Sequence, residues 1–525
     1  MYLNEKILIA KNDENEIYLL PKMANRHGLI TGASGSGKTI TLKVLAESFS
    51  ASGVPVFMVD VKGDLAATCV RGIDNENVRS RVEKMNLTDF KFREFPVTFF
   101  DVYGEKGHPI RTTISNLGSR LLSRMLDLSE AQEGVLAIVF QIAEDESLEI
   151  TDLKDLQKLL NYVGEKRNEY SLKYGNISIQ SVGAIQRSLL VLSQEGGKHF
   201  FGKPAFNLRD FIRFNAENGF GYINILDAQE LFKKPNLYAT FMLWLLTDMY
   251  NIMPEVGDLS KPRIVMFFDE AHLLFNEMPA HLIRQITQIV KLIRSKGVGV
   301  YFISQSPSDI PDEILSQLGN KVQHVLRAYT PNDEKAIKAA AASFRANPKF
   351  DTVEAIRTLG TGEALVSMLD EKGEPTMVER AKILPPESMM GALDDIMRKQ
   401  VILESQLYMK YEELVDDESA YEKINKIDEE KTKLKEEELK KKEEERLAKE
   451  KEKEEALLAK QKALEEKELA RKKALEEKEK LKKEKEEERA RKNSVGYKLG
   501  KKVVNKTTDK LINKGLNSIL KGLFK

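Results

Sequence analysis

Residues Gly32-Ala33-Ser34-Gly35-Ser36-Gly37-Lys38-Thr39 fit the pattern G-x-x-x-x-G-K-[ST]. An apolar run, His27–Thr31, precedes them and a helical pattern, Ile40–Phe49, follows. Glycines let the backbone curl so that successive N–H groups face phosphate oxygens at a helix N-terminus. In that arrangement Lys38 reaches the β and γ oxygens of a nucleoside triphosphate, and the Thr39 hydroxyl sits on Mg²⁺. A chance glycine turn would lack the strand on one side and the helix on the other.

A second constellation follows an apolar stretch, Arg263-Ile-Val-Met-Phe-Phe, and consists of Asp269 and Glu270. Two acids after a strand are a weak signal alone. Paired with the upstream loop, they point to ATP hydrolysis, with Asp269 holding Mg²⁺ and Glu270 polarising the attacking water. The run Val298–Ser304 ends at Gln305, whose amide suits sensing of a γ-phosphate or placement of water; the plainer alternative is a polar loop residue.

These groups must be held by a scaffold of strands and helices. Short apolar runs alternate with helical patterns, which predicts an α/β fold, a mostly parallel sheet covered by helices. The predicted strands are His27–Thr31, Val54–Asp60, Val97–Val102, Tyr222–Leu226, Ile264–Phe268, Val298–Ser304, Val322–Arg327 and Glu363–Ser367. Most read as near-continuous apolar runs, as strands buried on both faces do. Leu121–Lys198 reads as a helical insertion on this core, which is expected to span 1–390.

Beyond Gly391 the composition changes, with neither Gly nor Pro before Gly496. The segment 391–493 reads as a charged helix or coiled coil: from about Tyr421 to Asn493 strong helix formers dominate, and Glu–Lys pairs at helical spacing add support. Its leucines (Leu434, Leu439, Leu447, Leu457, Leu464) hold no steady heptad. A solvated spacer helix and a partner-binding coiled coil both fit that pattern. The segment 494–525 concentrates lysines beside Leu499, Val503, Leu511 and Ile512. Such a basic amphipathic tail suits an anionic membrane surface or nucleic acid, or docking on the protein's own body.

Over 525 residues, 82 Lys and Arg balance 82 Asp and Glu, so nucleic-acid contact calls for a local patch. One cysteine, Cys69, excludes a disulfide framework and fits a reducing compartment. The N-terminus has no signal-peptide pattern and no run is long enough to span a bilayer, which predicts a soluble, cytoplasmic protein.

Several segments in fixed order carry a family resemblance: Thr31–Thr39, Val59-Asp-Val-Lys-Gly-Asp-Leu65, Phe268-Asp-Glu-Ala-His272, Lys296-Gly-Val-Gly-Val-Tyr-Phe-Ile-Ser-Gln-Ser-Pro307 and Gly360-Thr-Gly-Glu-Ala-Leu365. Across Met1–Pro386 the chain resembles the HerA/FtsK superfamily of ring-forming P-loop ATPases, in the HerA-like helicase subset. The resemblance implies an additional-strand, catalytic-glutamate core, ATP and Mg²⁺ as ligands, a homo-hexameric ring and DNA as the translocated polymer. It makes Glu270 the catalytic glutamate and Gln305 the sensor. It also asks for an arginine from a neighbouring subunit, for which Arg327 is the first candidate and Arg294 the second. The chain departs from HerA helicases in the 31 residues ahead of Gly32. Lys6–Leu20 has room for a hairpin and not for the barrel domain those helicases carry there.

Two other ATPase readings fit less well. An ABC- or SMC-type enzyme needs an LSGGQ-like signature close before the acids, and Leu192-Ser-Gln-Glu-Gly-Gly197 lies far upstream. Asp-Glu-Ala-His also occurs in superfamily-two helicases, but no Ser-Ala-Thr segment accompanies it. From a different class comes an ATP-switched scaffold or membrane-associated assembly factor, with the C-terminal segments as its working surface.

Overall fold

The computed structural model describes residues 1–257, 259–275 and 280–492. The basic tail expected over 494–525 lies outside the described residues. Met1–Asp428 forms one compact unit and the chain from Glu429 a second.

The first unit is built on a 13-stranded mixed sheet. Its strands are β1 (Tyr2–Leu3), β2 (Lys6–Lys11), β3 (Glu16–Leu19), β4 (Gly28–Thr31), β5 (Val56–Asp60), β6 (Val97–Asp101), β7 (His108–Pro109), β8 (Ile223–Asp227), β9 (Ile264–Phe268), β10 (Val298–Ser304), β11 (Asn320–Gln323), β12 (Glu363–Ser367) and β13 (Glu379–Ile383). The spatial order is β1-β2-β13-β12-β11-β4-β10-β9-β5-β8-β6-β7, with β3 on β2. From β11 to β7 every pair is parallel. The other pairs are antiparallel.

Period-two alternation feeds two cores, one on each face. Val265 and Phe267 of β9 join Tyr301 and Ile303 of β10 under helix α1 (Lys38–Ala51), where Leu42, Leu45 and Phe49 meet them. Ile264, Met266 and Phe268 face the other way, against Phe241 and Leu245 of the helix Pro235–Ile252 and the leucines of the helical insertion. Both faces of these strands are therefore dry, which explains their continuous apolar runs.

The helical run begins at Ile114, ahead of the expected Leu121. Its starts follow local capping chemistry: Asp152 accepts from the Lys154 and Asp155 amides at 2.7 and 3.1 Å, and Ser178 from Ser181 at 3.1 Å. The compact unit continues past residue 390, because Leu407, Tyr411, Ala420 and Ile424 are buried in the insertion-side core. Ser419 closes this join by donating to Asp155 at 2.5 Å.

The expected strand Val322–Arg327 is β11, Asn320–Gln323, so Arg327 lies in the following loop instead of at a strand end. β11 pairs with β4 only as far as Gln323 opposite Thr31. Two backbone bonds continue the contact, His324 N to Thr31 O at 2.7 Å and Ala33 N to Val325 O at 2.8 Å, but the strand pairing itself ends there. Lys6–Leu20 does form a hairpin, β2 with β3, and β2 also joins the main sheet through β13.

The described part of the second unit is helical, within Ala420–Lys492, and its leucines are exposed. Among the described residues, no helix is long and apolar enough to cross a membrane.

One core group sets a pH limit. His27 is fully buried between two backbone groups: its Nε2 donates to the Val290 carbonyl at 2.8 Å, and its Nδ1 accepts from the Val300 amide at 3.0 Å. A second ring proton would face an N–H donor. Burial pushes its pKa down to about 4. The unfolded chain takes up this proton first, so the stabilisation is complete above pH ~6.5 and is lost as pH falls toward 4. At pH 5 the loss is roughly 2 kcal/mol, at about 1.4 kcal/mol per unit. Urea midpoints at pH 7.5 and 5 should therefore separate more for the wild-type chain than for His27→Gln. Equal separations would exclude His27 as the source.

Candidate nucleotide-phosphate site

β4 ends in the interior and releases the chain at Gly32, which starts a loop with φ of +154°, +73° and +115° at Gly32, Gly35 and Gly37. At Gly32 a side chain has no room. A Cβ on Gly32 would stand 2.5 Å from His324 Cβ. His324 lies directly beneath the loop, with Nδ1 on the Glu363 carbonyl at 3.0 Å and Nε2 on Thr41 Oγ1 at 2.8 Å. Burial pushes its pKa down to about 4, which keeps the ring neutral under an anion-binding loop.

The loop is strung on few bonds: Ser36 N to Ala33 O at 3.2 Å, and Ala33 N to Val325 O at 2.8 Å. Ser34 and Gly35 are exposed at its crest. Lys38 is buried, and its Nζ donates to Gly32 O at 2.7 Å and Ala33 O at 3.2 Å. The ammonium thus spans the ring that phosphates enter in a loop of this type. Burial lowers its pKa, and Glu270 and Asp269 partly offset that. Thr39 stands half-buried in the first turn of α1.

β9 delivers the acids. Asp269 and Glu270 are both buried, and Glu270 adopts a left-handed backbone with φ +48°. For a residue other than glycine that conformation is held by its surroundings. Asp269 Oδ1 accepts from the Glu270 amide at 2.9 Å, while Oδ2 is buried and takes no hydrogen bond among the described residues. Burial and the adjacent Glu270 charge push the Asp269 pKa up to about 7. A bare carboxylate in that position calls for a cation. Three or more ligating side chains do not converge anywhere among the described residues. This donor set fits Mg²⁺, which keeps several waters and takes its remaining ligands from phosphates.

Glu270 is held from the side. Lys62 Nζ donates to its Oε1, and His272 Nδ1 lies 3.2 Å from Oε2. Burial alone would raise the Glu270 pKa, but the Lys62 bond and charge hold it below the ordinary value. In the sequence Lys62 stands out only as part of the Val59–Leu65 motif, without a role of its own. β5 lies beside β9 with Val59 opposite Phe268. That pairing carries the loop after β5 to the acids, and adjacency of the two strands is the signal that would have found it.

β10 runs between β4 and β9, with Ser304 opposite Thr31 and Phe302 opposite Phe268. Gln305 follows at the same end of the sheet as the loop and is exposed. The structure thus gathers Lys38, Asp269 and Glu270 at one edge, with Gln305 one step beyond β10. Arg327 is exposed and makes no hydrogen bond or ion pair among the described residues. Arg294 precedes β10 and so stands at the other end of that strand, away from the chain's own loop.

A phosphate loop after β4, acids after β9 and an extra strand between them define a P-loop NTPase core of the additional-strand type. The family model for the helicase HerA-like C-terminal region matches residues 5–521, and the chain belongs to that family. A probable helicase of Methanocaldococcus jannaschii is 23% identical over 370 residues, covering 68% of this chain and 63% of that one. The DNA double-strand break repair helicase HerA of Sulfurisphaera tokodaii is 23% identical over 367 residues, covering 67% and 64%. The chain spans less than two thirds of the length of these two relatives. In fold it is similar to the bacterial conjugative coupling protein TrwBdeltaN70, with TM-score 0.50 and 14% identity, covering 75% of this chain and 92% of that one.

Proposed function

We propose that this chain is an ATP-hydrolysing motor that moves DNA as a homo-hexameric ring. The observation that carries the reading is the unpartnered Asp269 Oδ2 and the clamped Glu270 carboxylate at the end of β9, beside a loop spanned by Lys38. Kinship with proteins named as DNA repair helicases supports DNA as the polymer.

In this reading the amides of Gly32–Thr39 and the Lys38 ammonium bind the β and γ phosphates. Thr39 and, through its shell, Asp269 would hold Mg²⁺, which would supply neutralisation of charge developing on the phosphate oxygens. Glu270 orients the attacking water and takes its proton. For that, its Oε1 must be freed from Lys62, whose ammonium then faces the incoming phosphate charge. Gln305 reads the γ-phosphate at the end of β10. Arg327, exposed and without an ion pair among the described residues, is available to the site of a neighbouring subunit.

ATP turnover by the full chain, measured with and without single- and double-stranded DNA, tests the motor. We expect turnover to rise severalfold with one of them, in a salt-sensitive way, because phosphate contacts are lost as salt increases. A rate unmoved by either DNA at low salt would remove DNA as the substrate.

A further inference from the structure

The helical insertion reaches toward the acids through one turn. Leu192-Ser-Gln-Glu-Gly-Gly197 closes the helix Ile179–Leu192 with a wide, π-type turn over Ser193–Gly197. Its glycines are required by packing: Gly196 has φ +105°, and a Cβ there would stand 2.8 Å from Tyr103 Cε1. The turn aims Glu195 at the start of α2 (Pro235–Ile252), where the first N–H groups have no partner within the helix. Glu195 Oε2 accepts from the Leu237 amide at 2.9 Å, and Oε1 accepts from Asn236 Nδ2 at 2.6 Å. The first turn of α2 is thereby fixed, and Tyr238 with it.

Tyr238 lies behind the acids. Its ring borders a cavity of about 270 Å³ together with Leu273 and Leu274. Those two leucines belong to the turn that Glu270 begins: the Leu273 amide donates to Glu270 O at 2.9 Å and the Leu274 amide to Ala271 O at 3.0 Å. The Tyr238 hydroxyl is buried and makes no hydrogen bond among the described residues. Burial, and after it the Asp269 charge, push the phenol pKa up, so the oxygen keeps its proton. Asp269 Oδ2 is the complementary atom, a buried acceptor without a donor. Such atoms are few in a protein interior, and each is costly to leave unpaired.

We propose that Tyr238 is a positioning residue for Asp269: its hydroxyl donates to the Asp269 carboxylate in the metal-loaded site and fixes the direction in which that carboxylate meets the metal's shell. The role rests on the phosphate-site reading. One bond satisfies both orphaned atoms. A carboxylate oxygen has two lone pairs, so Oδ2 accepts from Tyr238 and still faces a metal-bound water. Carboxylates that hold metals are themselves held by hydrogen bonds, and loss of such a partner typically costs about 10–100-fold in metal affinity. Were the phenol present for packing alone, phenylalanine would serve as well and spare the core an unpaired oxygen. The helical insertion thus acquires a part in the site: Glu195 sets the turn that carries Tyr238.

Tyr238→Phe in the full chain keeps the ring and its packing and removes one oxygen. Mn²⁺ is titrated into protein loaded with the hydrolysis-resistant analogue AMP-PNP, and the free ion is followed by paramagnetic resonance. The variant should bind Mn²⁺ about tenfold more weakly than the wild type. Calorimetry in EDTA should find its AMP-PNP affinity within about twofold of the wild type, because metal-free phosphates make no use of Asp269. In an Asp269→Asn background the same change should add little, since residues that act through one bond are not additive. Mn²⁺ affinity within about twofold of the wild type would overturn the role of Tyr238 and leave the phosphate site standing. So would a full further loss in the Asp269→Asn background, or an equal loss of AMP-PNP in EDTA. An Asp269→Asn protein that binds Mn²⁺ as tightly as the wild type would bring down the metal role of Asp269 itself, and that of Tyr238 with it.

Discussion

Replacing Glu270 with glutamine should leave ATP bound and slow its hydrolysis by about 10²–10⁴-fold, the usual contribution of a positioned general base. The substitution keeps the shape of the side chain at a buried, left-handed position, so the end of β9 should persist. It removes the negative charge that Lys62 now binds. Lys62 loses its partner in the empty state, and one positive charge becomes available to the phosphates. ATP affinity should therefore be equal to or tighter than that of the wild type, and a single-turnover rate should carry the whole defect. Wild-type-like turnover would overturn the assignment of Glu270. The same variant tests the ring. In a mixture with Arg327→Ala subunits, some interfaces pair an intact Glu270 with an intact Arg327, and those should hydrolyse ATP although neither pure variant does. A strictly monomeric protein by light scattering, with and without ATP, would remove the ring and the role of Arg327 together.

The parts of the site that could be read in the sequence are those whose neighbours along the chain fix their geometry. The loop Gly32–Thr39 declares itself through glycines at positive φ and a lysine beside a helix start, all within eight residues. β9 and β10 were found with both boundaries correct, because both faces of each strand are dry and the run stays apolar throughout. β13 was missed. Its sequence, Glu-Arg-Ala-Lys-Ile, buries only Ala381 and Ile383, and short alternation with charged residues reads as loop. β11 was set too far along the chain because Val322–Arg327 is apolar enough for a strand. Its end is set by its partner β4, nearly 300 residues earlier in sequence, which ends at Thr31.

Residues that act only through such long-range pairing stayed hidden. Lys62 is an ordinary loop lysine until β5 is known to lie beside β9. His324 is a lone histidine in a mostly apolar run until the chain above it turns out to be the phosphate loop, where Gly32 has no space for a side chain. Composition likewise drew the globular boundary at 390. The four apolar residues that extend the core beyond it are too widely spaced to stand out in a segment rich in charge.

Lys38→Ala should have the largest effect on binding. In this structure the Lys38 ammonium is buried and bonded to the Gly32 and Ala33 carbonyls, which draws the two ends of the loop inward. In the proposed reading, nucleotide binding replaces those bonds with bonds to the β and γ oxygens. A hydrogen bond to a charged group contributes about 1.5–3 kcal/mol, so losing two should weaken ATP by about 10²-fold or more. Turnover should fall further, because the same charge acts on oxygens that gain negative charge in the transition state. The alanine also leaves two carbonyls without their donor in the empty protein. The loop should then show faster amide hydrogen exchange over Gly32–Gly37, while the β9 strand, whose ladder bonds are untouched, keeps its protection. Calorimetry separates the two effects: the loss should appear with tripolyphosphate as well as with ATP, since in the proposed reading the lysine acts on the phosphates alone. An alanine variant that binds both ligands within about twofold of the wild type, and still hydrolyses ATP, would show that the Gly32–Thr39 loop does not hold the phosphates in this chain.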